Sequence, residues 1–279
     1  MAKIDLFSKI KMNRNNFTKV EQRIADYVSE HSQEVLYMSI TDLATACNVG
    51  DTSVFRFCRT LHFQGYQEFK LNLAQSIDID GDQQEKAEEA EKNTALEILN
   101  TDISALNETY SMLNCNDIKK AVALMLTAQN ICFFGVGSSL ITAMEAKSRF
   151  MRIMPNVECT SDSHLQAMKA ALMTSKDLAI IISYSGSTKD IIEIAKICRD
   201  NSVKIICITR FLKSPLESFA DLTLLCGSNE GPLQGGSLSA KVAQLYIIDV
   251  LYTEYLNSTE EISKANREKT ASAILDKMY

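Results

Sequence analysis

Hydroxyl side chains crowd two short stretches of this sequence, and each stretch follows an apolar run. In Ser183-Tyr-Ser-Gly-Ser-Thr-Lys-Asp190, the residues Ser183, Ser185, Ser187 and Thr188 surround Gly186. In Gly135-Val-Gly-Ser-Ser139, the glycines Gly135 and Gly137 precede Ser138 and Ser139. Hydroxyls and free backbone N–H groups at a helix start all donate to anionic oxygens, and the positive end of the helix dipole favours the same charge. A phosphate suits such a socket. Either turn alone reads equally well as a helix cap. Two in one α/β unit point to a ligand, because open α/β sheets bind ligands outside the carboxyl ends of their strands. The Gly-x-Gly lacks the third glycine and acidic partner of a dinucleotide fingerprint.

The elements that must hold these turns can be read from hydrophobic periodicity. Leu178 to Ile182 is a buried strand, followed by a helix on which Ile191, Ile192, Ile194, Ala195 and Cys198 recur at helical spacing. Ile131 to Phe134 is a second strand, leading to a helix from Leu140 to Met151. Further strands are expected at Val157–Thr160, 203–209 and 222–225, with a helix from Asp162 to Met173. A long apolar helix spans 237–257 and a more polar one 259–277. Strands alternating with helices predict an α/β doubly wound parallel sheet.

These residues resemble the sugar isomerase (SIS) domain, across roughly residues 115–255. The resemblance implies a phosphorylated sugar as ligand. It places Ser183–Asp190 at the family's serine-rich phosphate loop and Gly135–Ser139 at its first turn. It also draws attention to Glu230, in a loop before the long helix. In SIS enzymes a carboxylate from a comparable region acts as base. Glu230 is therefore a relic base, a ligand contact or a solvated loop residue. Lys241 stands where similar regulators carry a Ser-Arg pair, here Ala240-Lys241, and completes the anion site as a point charge. His164, at a helix start, is either a ligand-mouth residue or a surface one.

The first 77 residues have a different character, all helical. Thr18-Lys-Val-Glu21 is a capping box opening a helix with Val20, Ile24, Tyr27 and Val28 on its apolar face. A short helix at about 41–47, the turn Asn48-Val-Gly50, and a helix capped by Asp51 form a helix-turn-helix candidate. Val54, Phe57, Cys58 and Leu61 face inward on the second helix, and Thr52, Ser53, Phe55, Arg56, Arg59 and Thr60 outward. A guanidinium among hydroxyls is what reads base edges, and Ser53, Arg56 and Thr60 share a face that offers it, with Thr52 also in the DNA-binding set. Arg59, Lys70 and Arg14 would touch phosphates. Charge alone argues weakly for DNA, since nine Lys or Arg face eight Asp or Glu up to residue 77.

Ser39-Ile-Thr-Asp-Leu-Ala44, Thr52-Ser-Val-Phe-Arg-Phe-Cys-Arg59 and Gly65-Tyr-Gln-Glu-Phe-Lys70 are similar to the N-terminal domain of RpiR-type transcription regulators, in which this domain precedes an SIS domain. The chain departs from that pattern at Gly50, where serine is usual, and at His62, where glycine commonly precedes an aromatic. The resemblance implies a regulator of carbohydrate metabolism, more often a repressor released by its effector. Expected partners are operator DNA with an inverted repeat, a phosphorylated sugar, and a second or further copies in a homodimer or homotetramer. The rival class is a phosphosugar isomerase or lyase with an accessory helical domain, which needs an acid/base pair beside the phosphate socket.

Composition marks an acidic linker after residue 77, and the resemblance implies the domains on either side: 1–77 for DNA, 78–109 for the linker and linker helix, 110–257 for the SIS domain, 258–279 for a terminal helix. Leu99, Ile103, Leu106, Tyr110 and Leu113 alternate steps of four and three, a stripe that packs on the next domain or on a partner chain. A net charge of −6 and 46% hydrophobic residues fit a soluble globular protein without wholesale nucleic-acid binding. No apolar run approaches a membrane span, the N-terminus does not read as a signal peptide, and a cytoplasmic location is expected. The eight cysteines contain no C-x-x-C pair, so buried thiols are expected and neither a metal nor a cofactor is.

Overall fold

The computed structural model describes residues 5–81, 94–228 and 237–275, so Glu230 lies outside the described residues. They form two compact units that divide between Glu97 and Ile98. No helix among the described residues is long and apolar enough to cross a membrane.

The first unit is helical. After α1 (Leu6–Asn13) comes α2 (Lys19–Glu30), opened by the expected capping box: Thr18 N–H donates to Glu21 Oε2 at 2.9 Å, and Glu21 N–H to Thr18 Oγ1 at 3.3 Å. A one-turn α3 (Ser32–Val35) follows. A second capping box, Ser39 with Asp42, opens α4 (Ile40–Ala46). The turn to α5 (Asp51–Thr60) holds Asn48 at φ +51°, and α6 (Tyr66–Gly81) closes the unit. Gly50, rather than Asp51, is the N-cap of α5. Asp51 is the first helical residue, and its carboxylate accepts from Thr41 Oγ1 at 2.8 Å, which ties α5 to α4. The predicted inward face is the observed one: Val54, Phe57, Cys58 and Leu61 join Ile24, Val28, Leu43 and Phe69 in one core.

The second unit starts within α7 (Thr94–Met112), at Ile98, and continues with α8 (Cys115–Thr127). Five parallel strands follow: β1 (Ile131–Phe134), β2 (Val157–Cys159), β3 (Leu178–Ile182), β4 (Lys204–Thr209) and β5 (Leu222–Leu225). Their order in the sheet is β2-β1-β3-β4-β5. The helices between them are α9 (Ser138–Phe150), α10 (Ser163–Leu172) and α11 (Lys189–Asp200), and α12 (Leu238–Ser258) and α13 (Glu260–Ser272) end the unit.

Burial of both faces, onto which successive side chains alternate, explains why the strands read as unbroken apolar runs. Phe133, Ile180 and Ile206 enter a layer with Ile118 of α8, Ala143 of α9 and Ile247 of α12. Cys132, Ile181 and Cys207 enter the opposite layer with Ala170 of α10 and Ile194 of α11. Helices therefore cover both faces. From β1 the chain moves outward to β2, then returns to place β3 on the other side of β1. The helices after β1 and β3 consequently depart to opposite faces, which opens a crevice at their N-termini.

Candidate functional site

Phe134 and Ile181 are register partners at the ends of β1 and β3, so the two hydroxyl-rich turns leave the sheet side by side. In the first, the Gly135 N–H donates to Gln166 Oε1 at 3.3 Å and the Gly135 carbonyl accepts from Gln166 Nε2 at 2.9 Å. Gln166 is buried on α10. This amide clamp was not foreseen, because a polar residue inside an otherwise helical pattern gives no sign of its partner. A Cβ on Gly135 would lie 2.8 Å from the Ser139 carbonyl oxygen, so the close approach of strand and helix needs glycine. Helix α9 begins at Ser138, two residues before the expected Leu140. Its N-cap is Gly137, whose lack of a side chain leaves the first N–H groups uncapped.

In the second turn, the Ser183 N–H donates to the Ile208 carbonyl, the Gly186 N–H to the Ser183 carbonyl, and the Ser187 N–H to Ser185 Oγ. Gly186 has φ +59°, and a Cβ there would overlap the Ser214 side chain. The segment after β4 clasps it further, Leu216 N–H donating to the Gly186 carbonyl at 2.9 Å. Thr188 is the N-cap of α11 and makes no side-chain cap bond. Two helix N-termini without side-chain caps thus stand side by side at the carboxyl end of the sheet, beside Ser138, Ser139, Ser183, Ser185, Ser187 and Thr188. Such a site can bind an anion through N–H and O–H donors alone.

Lys241 lines a groove of about 510 Å³ with Leu106, Ile141, Glu145, Arg149 and Asp249, between α9 and α12. His164 is an exposed residue in the first turn of α10.

On α5, Thr52, Phe55, Arg56 and Arg59 are exposed and Ser53 is half-buried. The Arg59 guanidinium lies 5.7 Å from the Phe55 ring centroid. Two expectations are corrected. Thr60 does not join the open face, because its hydroxyl donates to Glu21 Oε1 at 2.7 Å. Lys70 is not placed to touch a phosphate: it is 7% exposed, its Nζ donates to the Met38 carbonyl at 3.0 Å, and it lies over the Tyr66 ring. Burial pulls the Lys70 ammonium down to about 8, against the pull of Asp42. Helical periodicity does not distinguish a lysine that turns inward onto a carbonyl from one that faces solvent. Burial raises the Glu21 carboxyl, but bonds from Thr18 and Thr60 and the charge of Arg56 outweigh it and hold it below its usual value.

Desolvation pushes Cys58, Cys132, Cys198 and Cys226 up to about 12 and Cys207 to about 11.

A helix-turn-helix unit followed by an α/β unit with paired hydroxyl-rich turns defines a class, the transcription regulators that carry an SIS domain. Residues 4–79 match the helix-turn-helix domain of the rpiR family, and residues 124–254 match the SIS domain. An uncharacterized HTH-type transcriptional regulator of Haemophilus influenzae is 33% identical, over 98% of this chain and 97% of its own length. The HTH-type transcriptional regulator HexR of Pseudomonas aeruginosa is 29% identical over 89% of this chain and 88% of its own. The structure of Vibrio vulnificus NanR complexed with ManNAc-6P aligns with a TM-score of 0.89 at 28% identity, covering 98% of this chain and 99% of that one. The chain belongs to the RpiR family of HTH-type transcriptional regulators.

Proposed function

We propose that this regulator is a repressor that binds an inverted-repeat operator through residues 1–77 and is released by a phosphorylated sugar held in residues 110–257. The segment 78–109 links the two. The observation that carries the reading is the pairing of two uncapped helix N-termini and six hydroxyl residues at the β1/β3 crevice. Gly135, Gly137, Ser138, Ser139, Ser183, Ser185, Gly186, Ser187 and Thr188 form the phosphate socket in this reading. Lys241 contributes from the neighbouring groove, and Glu230 from its loop. The likeness to NanR supports a hexosamine phosphate of the ManNAc-6P kind as the first ligand to try. The names of the relatives favour this regulatory reading over that of an isomerase or lyase.

On the DNA side, Thr52, Ser53 and Arg56 read base edges and Arg59 meets a phosphate. A unit of near-zero net charge binds operator weakly alone, so two copies are needed. The exposure of Leu99, Ile103 and Tyr110 (53%, 45% and 71%) supports α7 as the face where they meet.

Calorimetry with ManNAc-6P, other hexose 6-phosphates and the matching unphosphorylated sugars tests the socket. Hydrogen bonds to a charged group contribute about 1.5–3 kcal/mol, so Ser183→Ala or Ser185→Ala should weaken phosphosugar binding roughly ten- to a hundred-fold. Equal binding of phosphorylated and unphosphorylated sugars, or indifference to both substitutions, would reduce the turns to helix caps.

A further inference from the structure

Ser228, just after β5, has φ +139°, a backbone region that side-chain-bearing residues rarely adopt. It is 3% exposed. Every polar atom it carries is engaged. Its N–H donates to Glu108 Oε2 of α7 at 3.0 Å. Its carbonyl accepts from the Tyr184 hydroxyl at 2.6 Å and from Arg210 Nε at 3.2 Å. Its hydroxyl pairs with Ser239 Oγ of α12 at 3.0 Å. A strained residue persists only where its surroundings over-determine it, and such residues gather at clamps and switches.

The elements that converge on Ser228 include the hydroxyl-rich turn. Tyr184 sits between Ser183 and Ser185, and its carbonyl accepts from the Arg210 N–H at 3.0 Å and from Thr209 Oγ1 at 3.2 Å. The Arg210 guanidinium continues to Glu108 Oε1 at 2.7 Å. One carboxylate on α7 therefore holds both Arg210 and Ser228, and both of those hold Tyr184. Next to this knot the Gly227 N–H donates to Thr109 Oγ1 of α7 at 2.9 Å, with Thr109 fully buried.

We infer that the Glu108–Arg210–Ser228–Tyr184 knot is the coupling device of this protein: it transmits occupancy of the 183–188 turn to α7. An anion drawn onto Ser183 and Ser185 displaces the intervening Tyr184. Tyr184 has two rigid attachments to the residues that grip Glu108, so α7 must follow. The inference rests on the reading of that turn as the effector site.

Two variants of the full chain test it. Tyr184→Phe removes only the hydroxyl that reaches Ser228. In this variant the amides of residues 105–112 should exchange with solvent about tenfold faster than in the parent, without any ligand. Unchanged exchange there overturns the inference. Glu108→Gln keeps the side-chain shape but has one acceptor oxygen where the carboxylate uses two. With ManNAc-6P as probe, its effector affinity should stay within about threefold of the parent, while the effector-induced change in operator affinity should fall at least about fivefold. Full coupling in Glu108→Gln overturns the inference. If the parent itself does not bind ManNAc-6P, the reading of the turn as a site for that ligand fails, and the exchange measurement alone decides the knot.

Discussion

His62 occupies the left-handed region at φ +66°, at the end of α5. Its neighbours complete a helix-ending motif: the Phe63 N–H donates to the Cys58 carbonyl and the His62 N–H to the Arg59 carbonyl. The departure from glycine at this position is thus a backbone matter. Left-handed geometry costs a side-chain-bearing residue roughly 1–2 kcal/mol, part of which glycine returns through a more flexible unfolded chain. His62→Gly should stabilise the N-terminal unit by about 1 kcal/mol, read as a higher denaturant midpoint at unchanged slope. Lys70 gives a second test. Its folded pKa, about 8, lies below the unfolded value of 10.5, so its contribution is present above the unfolded value and lost as pH falls through about 8. Between pH 8 and 10 the parent should gain stability relative to Lys70→Met, so the difference between the two should change steadily with pH. A pH-independent difference would mean that the ammonium is not desolvated. Neither feature was legible in the sequence. The departure at His62 was visible but its φ was not, and the inward turn of Lys70 depends on a carbonyl 32 residues away.

Among the elements, strands and helices were legible where burial is two-sided or periodic. β3 and β5 occupy the expected residues, and β4 starts one later, at Lys204. The starts of α5 and α9 were misplaced by one and two residues, because Gly50 and Gly137 serve as caps without a side-chain signal. Both turns were legible as turns. What could not be read was the Gln166 clamp, or the knot that Arg210 ties from Glu108, since those contacts span 31 and 102 residues. For α5 as a recognition helix, Arg56→Ala should cost roughly 1–3 kcal/mol of operator affinity and relax base preference at one position. Arg59→Ala should weaken binding to all sequences and flatten its salt dependence. Gel shifts across salt concentrations separate the two, and parent-like binding by both would remove α5 from the interface.

At the scale of the whole molecule, the account requires two copies and two states. The alternating stripe on α7 was readable as a helix that packs on something. The structure leaves Leu99, Ile103 and Tyr110 exposed, as a partner-facing stripe would be in a single chain. Leu99→Asp with Ile103→Asp should shift sedimentation toward the monomer and weaken operator binding at least tenfold, because the avidity of two half-sites is lost. An effector can switch such an assembly only by binding its DNA-competent and DNA-incompetent states unequally. The most direct measurement is a titration of labelled operator with the parent and with Ser183→Ala/Ser185→Ala, each without ligand, with ManNAc-6P and with the unphosphorylated sugar. The account predicts that ManNAc-6P weakens operator binding by the parent at least about tenfold, an allosteric coupling of ordinary size. It also predicts that the unphosphorylated sugar has no effect, and that the double variant binds operator like the parent but ignores the phosphosugar. Equal operator affinity of the parent in all three conditions, or a double variant that responds as the parent does, would contradict it.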